Sequence, residues 1–253
     1  MPEIKTTDDL MLFLINLFGE KFPQSAILKG GMALRLLDCP RFTNDLDYIF
    51  IPFSSKKDIA GDICALLDEQ EGLKYKYNLN SKCLRIHVES NGVMTQIEIN
   101  VAKTCPAVAI STSALASGTG QLSRIINIMD YRAAMAHKLA AWNERKLARD
   151  LYDMNFYYTY LKVLPDLEIL SWRLKKVSST KRNENPRFMS FIQLIETLRL
   201  TLNELSSEDI KELADYLPVG NLPGLELRLR ANLLKFCDEL EAEIDKHENR
   251  PPK

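Results

Sequence analysis

Long apolar runs are missing from this chain. No stretch of its 253 residues approaches the ~20 consecutive apolar residues of a membrane-spanning helix, so no such helix is expected. The amino terminus carries Glu3, Asp8 and Asp9 ahead of its first apolar segment and lacks the basic lead of a secretory signal. Cysteine is sparse. The five residues, Cys39, Cys64, Cys83, Cys105 and Cys237, are scattered, odd in number and without a Cys-x-x-Cys pair. That excludes a disulfide scaffold and reads as reduced, mostly buried thiols in a cytoplasmic protein. An excess of one charge is lacking too. Lys and Arg number 33 against 34 Asp and Glu, a net charge of −1, so nucleic-acid binding would need a local patch. No repeat or low-complexity tract appears. What remains is a globular composition, 46% hydrophobic and 26% charged, long enough for one large domain or two small ones.

One stretch organises the rest: ILKGGMALRLLDCPRFTNDLDYIF, residues 27–50. A short apolar lead-in precedes Gly30 and Gly31, which open a helical run over 32–37; after a turn at Pro40, Asp45 and Asp47 begin an apolar strand. Paired glycines at a helix start leave backbone N–H groups bare and let a backbone or phosphate approach closely. Carboxylates two apart on a strand share one face at roughly 7 Å. Such a pair suits Mg²⁺, which takes one or two carboxylates plus substrate phosphates. A phosphate cradle followed by paired carboxylates points to phosphoryl or nucleotidyl transfer. Either feature alone is common as a turn or a surface pattern; their order and spacing carry the signal.

The flanking elements follow from periodicity. Thr6 or Thr7 caps a first helix with Leu10, Phe13, Leu14, Leu17 and Phe18 at helical spacing. A second helix starts at Ser54-Ser55, with Ile59, Ile63, Leu66 and Leu67 as its stripe, and ends at Gly72. Strands are expected over 73–79, 84–89 and 95–101, an antiparallel meander extending the sheet of the Asp45 strand. On the last, Ile97, Ile99 and Val101 share one face and Gln96, Glu98 and Asn100 the other. Residues 105–120 read as a short edge strand, 107–110, and a mobile loop; 124–129 read as a strand.

Asp130 caps a helix packed through Ala134, Leu139 and Trp142, and 146–161 form a second. Asp150 and Asp153 lie three apart on one helical face. Lys138 offers a point charge for phosphates, and Arg149 could serve likewise. Asp150 or Asp153 could orient Lys138 or help activate an acceptor hydroxyl. Physical reasoning alone also allows these charges to be solvated helix pairs. From 164 onward the pattern is amphipathic and helical: a helix marked by Trp172, Leu174 and Val177, a basic loop 178–187, helices over 188–205 and from 206, and a last one from 225 to about 245. Lys162, Arg173, Lys175, Lys176, Lys181, Arg182 and Arg187 make a loosely basic segment, an RNA contact or an ordinary surface.

The Gly-Gly…Asp-x-Asp stretch resembles the signature of DNA polymerase β-like nucleotidyltransferases. Its wording, K-G-G-x-A-L then R-F-T-N-D-L-D, with K-L-x-A at Lys138 and R-D-x-Y-D at 149–153, is similar to the AbiEii/AbiGii toxin family. The resemblance covers roughly residues 26–161. It implies an α+β fold, a nucleotidyltransferase-type mixed sheet flanked by helices, followed by a helical C-terminal region. It implies domains at 1–129 (catalytic) and 130–253 (helical). It implies a Mg²⁺-dependent transfer of a nucleoside monophosphate from an NTP to an acceptor, tRNA in some members, by a toxin opposed by a separately encoded antitoxin. The implied metal ligands are Asp45 and Asp47, with Glu98 in the place of the third acid, usually Asp and one methylene shorter. The implied nucleotide contacts are Lys29, Gly30, Gly31, Arg41, Thr43, Lys138 and Arg149, and the resemblance favours functional roles for Lys138, Asp150 and Asp153. A small-molecule nucleotidyltransferase of the antibiotic-modifying kind and an inert nucleotide-binding module remain the alternatives.

Overall fold

The computed structural model describes residues 2–175 and 190–248. The basic loop expected at 178–187, Lys176, Val177 and the tail beyond 248 lie outside the described residues. Backbone contacts divide the chain into two compact units, Met1–Asp130 and Tyr131–Lys253.

The first unit is built on a seven-stranded mixed sheet. Its strands are β1 (Ala26–Lys29), β2 (Asp45–Phe50), β3 (Leu73–Leu79), β4 (Leu84–Ser90), β5 (Val93–Val101), β6 (Ala107–Ser111) and β7 (Ile125–Met129), in the order β3-β4-β5-β2-β1-β7-β6. The expected meander β3-β4-β5 is antiparallel and joins β2 through a parallel β5–β2 pair. β1 runs antiparallel to β2 and parallel to β7.

The helix α1 (Thr7–Lys21) begins with a capping box: Asp9 N–H donates to the Thr6 hydroxyl, and the Asp9 carboxylate accepts from the Thr6 N–H. Leu10, Met11, Leu14, Ile15 and Phe18 are completely buried. Phe18 packs on Tyr48 and Phe50 of β2, with ring centroids 5.2 and 5.9 Å apart. Burial of each such side chain contributes about 1.5–3 kcal/mol. The alternation of β2 therefore sends Leu46, Tyr48 and Phe50 into the core and leaves Asp45 and Asp47 half-buried on the opposite face. The helix α3 (Lys57–Asp68) buries Ile59, Ile63, Leu66 and Leu67 and contacts β3.

The expected edge strand is present as β6, but the expected mobile loop is not a loop. β6 is followed by a regular helix, α4 (Ser113–Thr119), ended by Gly120 in the left-handed region (φ 68°). Buried Thr112 anchors the junction: its hydroxyl donates to Asn16 Oδ1 on α1 and accepts from the Arg124 N–H. Small residues that read as a loop are helical here because α4 packs on α1.

The second unit is helical: α5 (Tyr131–Arg145), α6 (Ala148–Thr159), α7 (Leu167–Lys175), α8 (Phe191–Glu204) and α9 (Leu225–Glu248). The expected α5 packing residues Ala134, Leu139 and Trp142 are buried. α5 and α6 are separate helices, because Lys146 adopts φ 55° and its N–H closes on the Trp142 carbonyl at 2.7 Å. α8 and α9 pack together, and Leu198, Leu202, Leu229, Leu233, Phe236 and Leu240 are completely buried. One expectation fails. The segment after Ser206 makes only a 3-10 turn, Lys211–Asp215; the Asp209 carboxylate caps the Ser206 N–H and hydroxyl, and only Leu213 of that turn is buried. In α7 the buried residues are Leu167 and Leu170, while Trp172 is exposed.

Candidate active site

The open face of the first sheet carries its charges in rows. One row pairs Lys29 with Asp47, Asp47 with Glu98, Glu98 with Arg85, and Arg85 with Asn78, strand by strand. The next pairs Asp45 with Gln96, Gln96 with His87, and His87 with Lys76. Within the first row, Lys29 Nζ lies 3.2 Å from Asp47 Oδ1. Arg85 holds Glu98 Oε1 through Nη2 at 2.6 Å and Nε at 3.0 Å, and Gln96 Nε2 donates to the same oxygen at 3.0 Å.

The two glycines lie directly under this arrangement. Gly30 sits at φ 75°, and a Cβ added there would fall 3.1 Å from Asp47 Cγ and closer still to Oδ2. A Cβ on Gly31 would fall 2.5 Å from Arg41 Nη2 and 3.0 Å from the Thr43 hydroxyl. Arg41 and Thr43 are both buried. Arg41 Nη1 donates to the Phe42 carbonyl, and the Thr43 hydroxyl donates to Asp45 Oδ1 at 2.6 Å. The helix that the glycines open, α2 (Gly30–Arg35), has only six residues. The missing side chains admit Asp47, Arg41 and Thr43 against the backbone, which orients the carboxylate face.

The structure thus brings together Lys29, Gly30, Gly31, Arg41, Thr43, Asp45 and Asp47. It sets Glu98 beside Asp47 in register but commits its carboxylate to Arg85 and Gln96. Among the described residues no three His, Cys, Asp or Glu side chains group closely enough to hold a metal ion. The Glu98 carboxylate is an ion-pair partner of Arg85 here. The Asp45–Asp47 pair still suits a divalent ion that completes its shell with substrate phosphate oxygens and water. Burial pushes the Cys105 thiol up to about 11 despite the opposing charge of Lys29.

Lys138, Asp150 and Asp153 form a second cluster within the helical unit. Both carboxylates are completely buried. Lys138 Nζ lies 2.5 Å from Asp153 Oδ2 and 3.7 Å from Asp150 Oδ1. Arg145 takes Asp150 with a two-pronged contact, Nε to Oδ2 and Nη2 to Oδ1, each 2.6 Å. Two buried anions are thus matched by two cations, which is what keeps burial tolerable. The solvated-pair reading fails for these acids, though not for charges such as Lys235 and Glu239, both largely exposed. Arg149 is placed differently: its backbone N–H donates to Glu212 Oε1 at 3.1 Å, on the 3-10 turn. A cavity of about 230 Å³, lined by residues including Tyr158, Lys162, Asn232, Lys235 and Glu239, contains none of the expected site residues.

Arg145 and Arg85 escaped the sequence reading. Arg145 had a weak local signal, a cation five residues before Asp150 across a helix break. Arg85 had none, since only the β4–β5 register sets it opposite Glu98.

The sequence model of the AbiEii nucleotidyltransferase toxins of type IV toxin–antitoxin systems matches residues 13–226. The chain belongs to the AbiEii family. It is therefore a nucleotidyltransferase toxin, and its type of system implies a separate antitoxin. Enzymes of this chemistry generally use divalent metal ions. No curated protein matches the chain. Among solved structures it is similar to the nucleotidyltransferase toxin MenT4 of Mycobacterium tuberculosis H37Rv, at 18% identity and TM-score 0.63 over 95% of this chain and 85% of that one. It is also similar to JHP933 from Helicobacter pylori, at 15% identity and TM-score 0.57 over 95% and 96%. A putative nucleotidyltransferase from H. pylori follows at 15% identity and TM-score 0.52, over 93% and 95%. At these identities the likenesses establish the fold. No helix among the described residues is long and apolar enough to cross a membrane.

Proposed function

We propose that the chain is a Mg²⁺-dependent, cytoplasmic enzyme that transfers a nucleoside monophosphate from an NTP to a tRNA acceptor. The observation that carries the metal assignment is the placement of Asp45 and Asp47. They share the open face of β2, with the Thr43 hydroxyl on one carboxylate and Lys29 on the other. Residues 1–129 form the catalytic domain and 130–253 the helical one.

Asp45 and Asp47 would hold the ion. When bound, it neutralises phosphate oxygens and lowers the pKa of the acceptor hydroxyl. Gly30 and Gly31 hold the triphosphate at the helix start and leave room for the site side chains. Arg41, Thr43 and Lys29 order the carboxylates and meet the nucleotide. Lys138 offsets charge on the phosphates, with Asp150 and Asp153 orienting it, and Arg149 is a further nucleotide contact. The acceptor oxygen bonds to the α-phosphorus, the bond to the β-phosphate oxygen breaks, and pyrophosphate leaves. Glu98 would be a further ligand on releasing Arg85 and Gln96, and its side chain is partly exposed.

The test is incubation of the protein with total tRNA, Mg²⁺ and each α-labelled NTP in turn, beside Asp47→Ala. Label reaching RNA with the wild type alone supports the reading. Label reaching RNA equally with a folded Asp47→Ala overturns the metal assignment. One observation favours a second reading, an inert nucleotide binder: the third acid is already neutralised by Arg85. Nucleotide binding without metal binding or transfer would select it.

A further inference from the structure

The buried pair Asp150 and Asp153 faces two cations that are not equivalent. Lys138 sits close to Asp153 and farther, at 3.7 Å, from Asp150. Arg145 occupies both oxygens of Asp150 at 2.6 Å. Its place is set by the chain: it is the last residue of α5, Lys146 turns the backbone at φ 55°, and the Lys146 ammonium lies 3.8 Å from the centroid of the Trp142 ring. α6 then returns Asp150 to the guanidinium. A buried carboxylate demands a partner, and without Arg145 the remaining described cation in ion-pair range of Asp150 is Lys138.

We infer that Arg145 is a positioning residue for Lys138. By satisfying Asp150 with two N–H groups, it leaves the Lys138 ammonium closest to Asp153, with Asp150 the farther partner. The Lys138 side chain is 16% exposed, so its ammonium stays available to an anionic group. Under the proposed function, on which this clause rests, the anion is a phosphate of the nucleotide. A lysine cannot replace Arg145, because one ammonium does not reproduce the planar fork that spans both oxygens.

The experiment uses the full chain and peptide-resolved acylation of lysine by an amine-selective ester, with exposed Lys74 on β3 as internal reference. It compares wild type, Arg145→Ala and Arg145→Lys. In Arg145→Ala, Lys138 is drawn between two buried carboxylates and its acylation falls several-fold, while Lys74 is unchanged. Arg145→Lys gives an intermediate fall and covers the case in which the alanine variant does not fold. Unchanged Lys138 acylation in either folded variant overturns the inference. NTP transfer is measured in parallel. Arg145→Ala and Lys138→Ala should lower kcat alike, and the double variant should be no worse than either. Additive losses would mean that Arg145 only joins the two helices, and would overturn the inference. Absence of transfer by the wild type would sink the proposed function while leaving the acylation result to decide the role of Arg145.

Discussion

Gly30→Ala strikes the fold and the site together. At φ 75° an L-residue costs about 1–2 kcal/mol. The new Cβ also meets the Asp47 carboxylate, whose displacement from its rotamer costs about 0.5–1.5 kcal/mol. The Lys29–Asp47 pair is lost with it. Both side chains are a quarter exposed, so that adds at most about 1 kcal/mol. The expected destabilisation is about 2–4 kcal/mol. At roughly 2–4 °C per kcal/mol for a chain of this size, Tm falls by about 4–16 °C. Gly61→Ala is the control. Gly61 is an exposed residue inside α3, and an added Cβ meets nothing within 4 Å, so this variant should gain about 0.5–1 kcal/mol. Thermal unfolding and label transfer are read on both. Gly30→Ala should lose transfer even at temperatures where it is fully folded, because Asp47 has moved. A Gly30→Ala protein with unchanged Tm and full transfer would refute the close packing of Asp47 on Gly30.

Four further outcomes are expected. Asp45→Asn and Asp47→Asn should each lower transfer by about 100-fold or more, since several kcal/mol of charge stabilisation depend on them, while unfolding curves stay near wild type; retained activity would remove them from the site. Asp150→Ala removes the two-pronged contact to a part-exposed Arg145 and should cost about 1.5–3 kcal/mol in urea unfolding, against a near-neutral result if the ion pairs were solvated. Thr6→Ala breaks the capping box of α1 and should cost about 1 kcal/mol, with transfer kept at low temperature; no change in midpoint would contradict the cap. Burial opposes ionisation of Asp9, but the Lys5 and Thr6 hydrogen bonds outweigh it and hold the carboxyl below its ordinary 3.8. Its stabilising contribution is therefore complete above that value and is lost as pH falls through the lowered one, so Asp9→Asn should flatten the acid limb of stability against pH.

The organising stretch was legible because it is local. Glycines, an Asp-x-Asp pair and the apolar alternation of β2 lie within two dozen residues, and each acts through spacing along one chain. The same holds for α1, α3 and the meander, whose stripes and turns are written in order. What could not be read locally was every property that depends on a neighbour distant in the chain. The segment Ser113–Thr119 looks like a loop until α1 offers it a packing surface. Ile210, Leu213, Ala214 and Leu217 have helical spacing, yet the segment settles into a 3-10 turn.

The candidate site shows the same division. The sequence alone determined the family, which acids share a strand face, and that Asp150 and Asp153 share a helical face. Tertiary structure alone decided what neutralises them. Strand register set Lys29 on Asp47 and Arg85 on Glu98. The turn at Lys146 brought Arg145 onto Asp150 and left Lys138 to Asp153. The physical reason is that a side chain's direction follows from the local backbone period, whereas its charge partner follows from how separate elements pack. A carboxylate's chemistry depends on both.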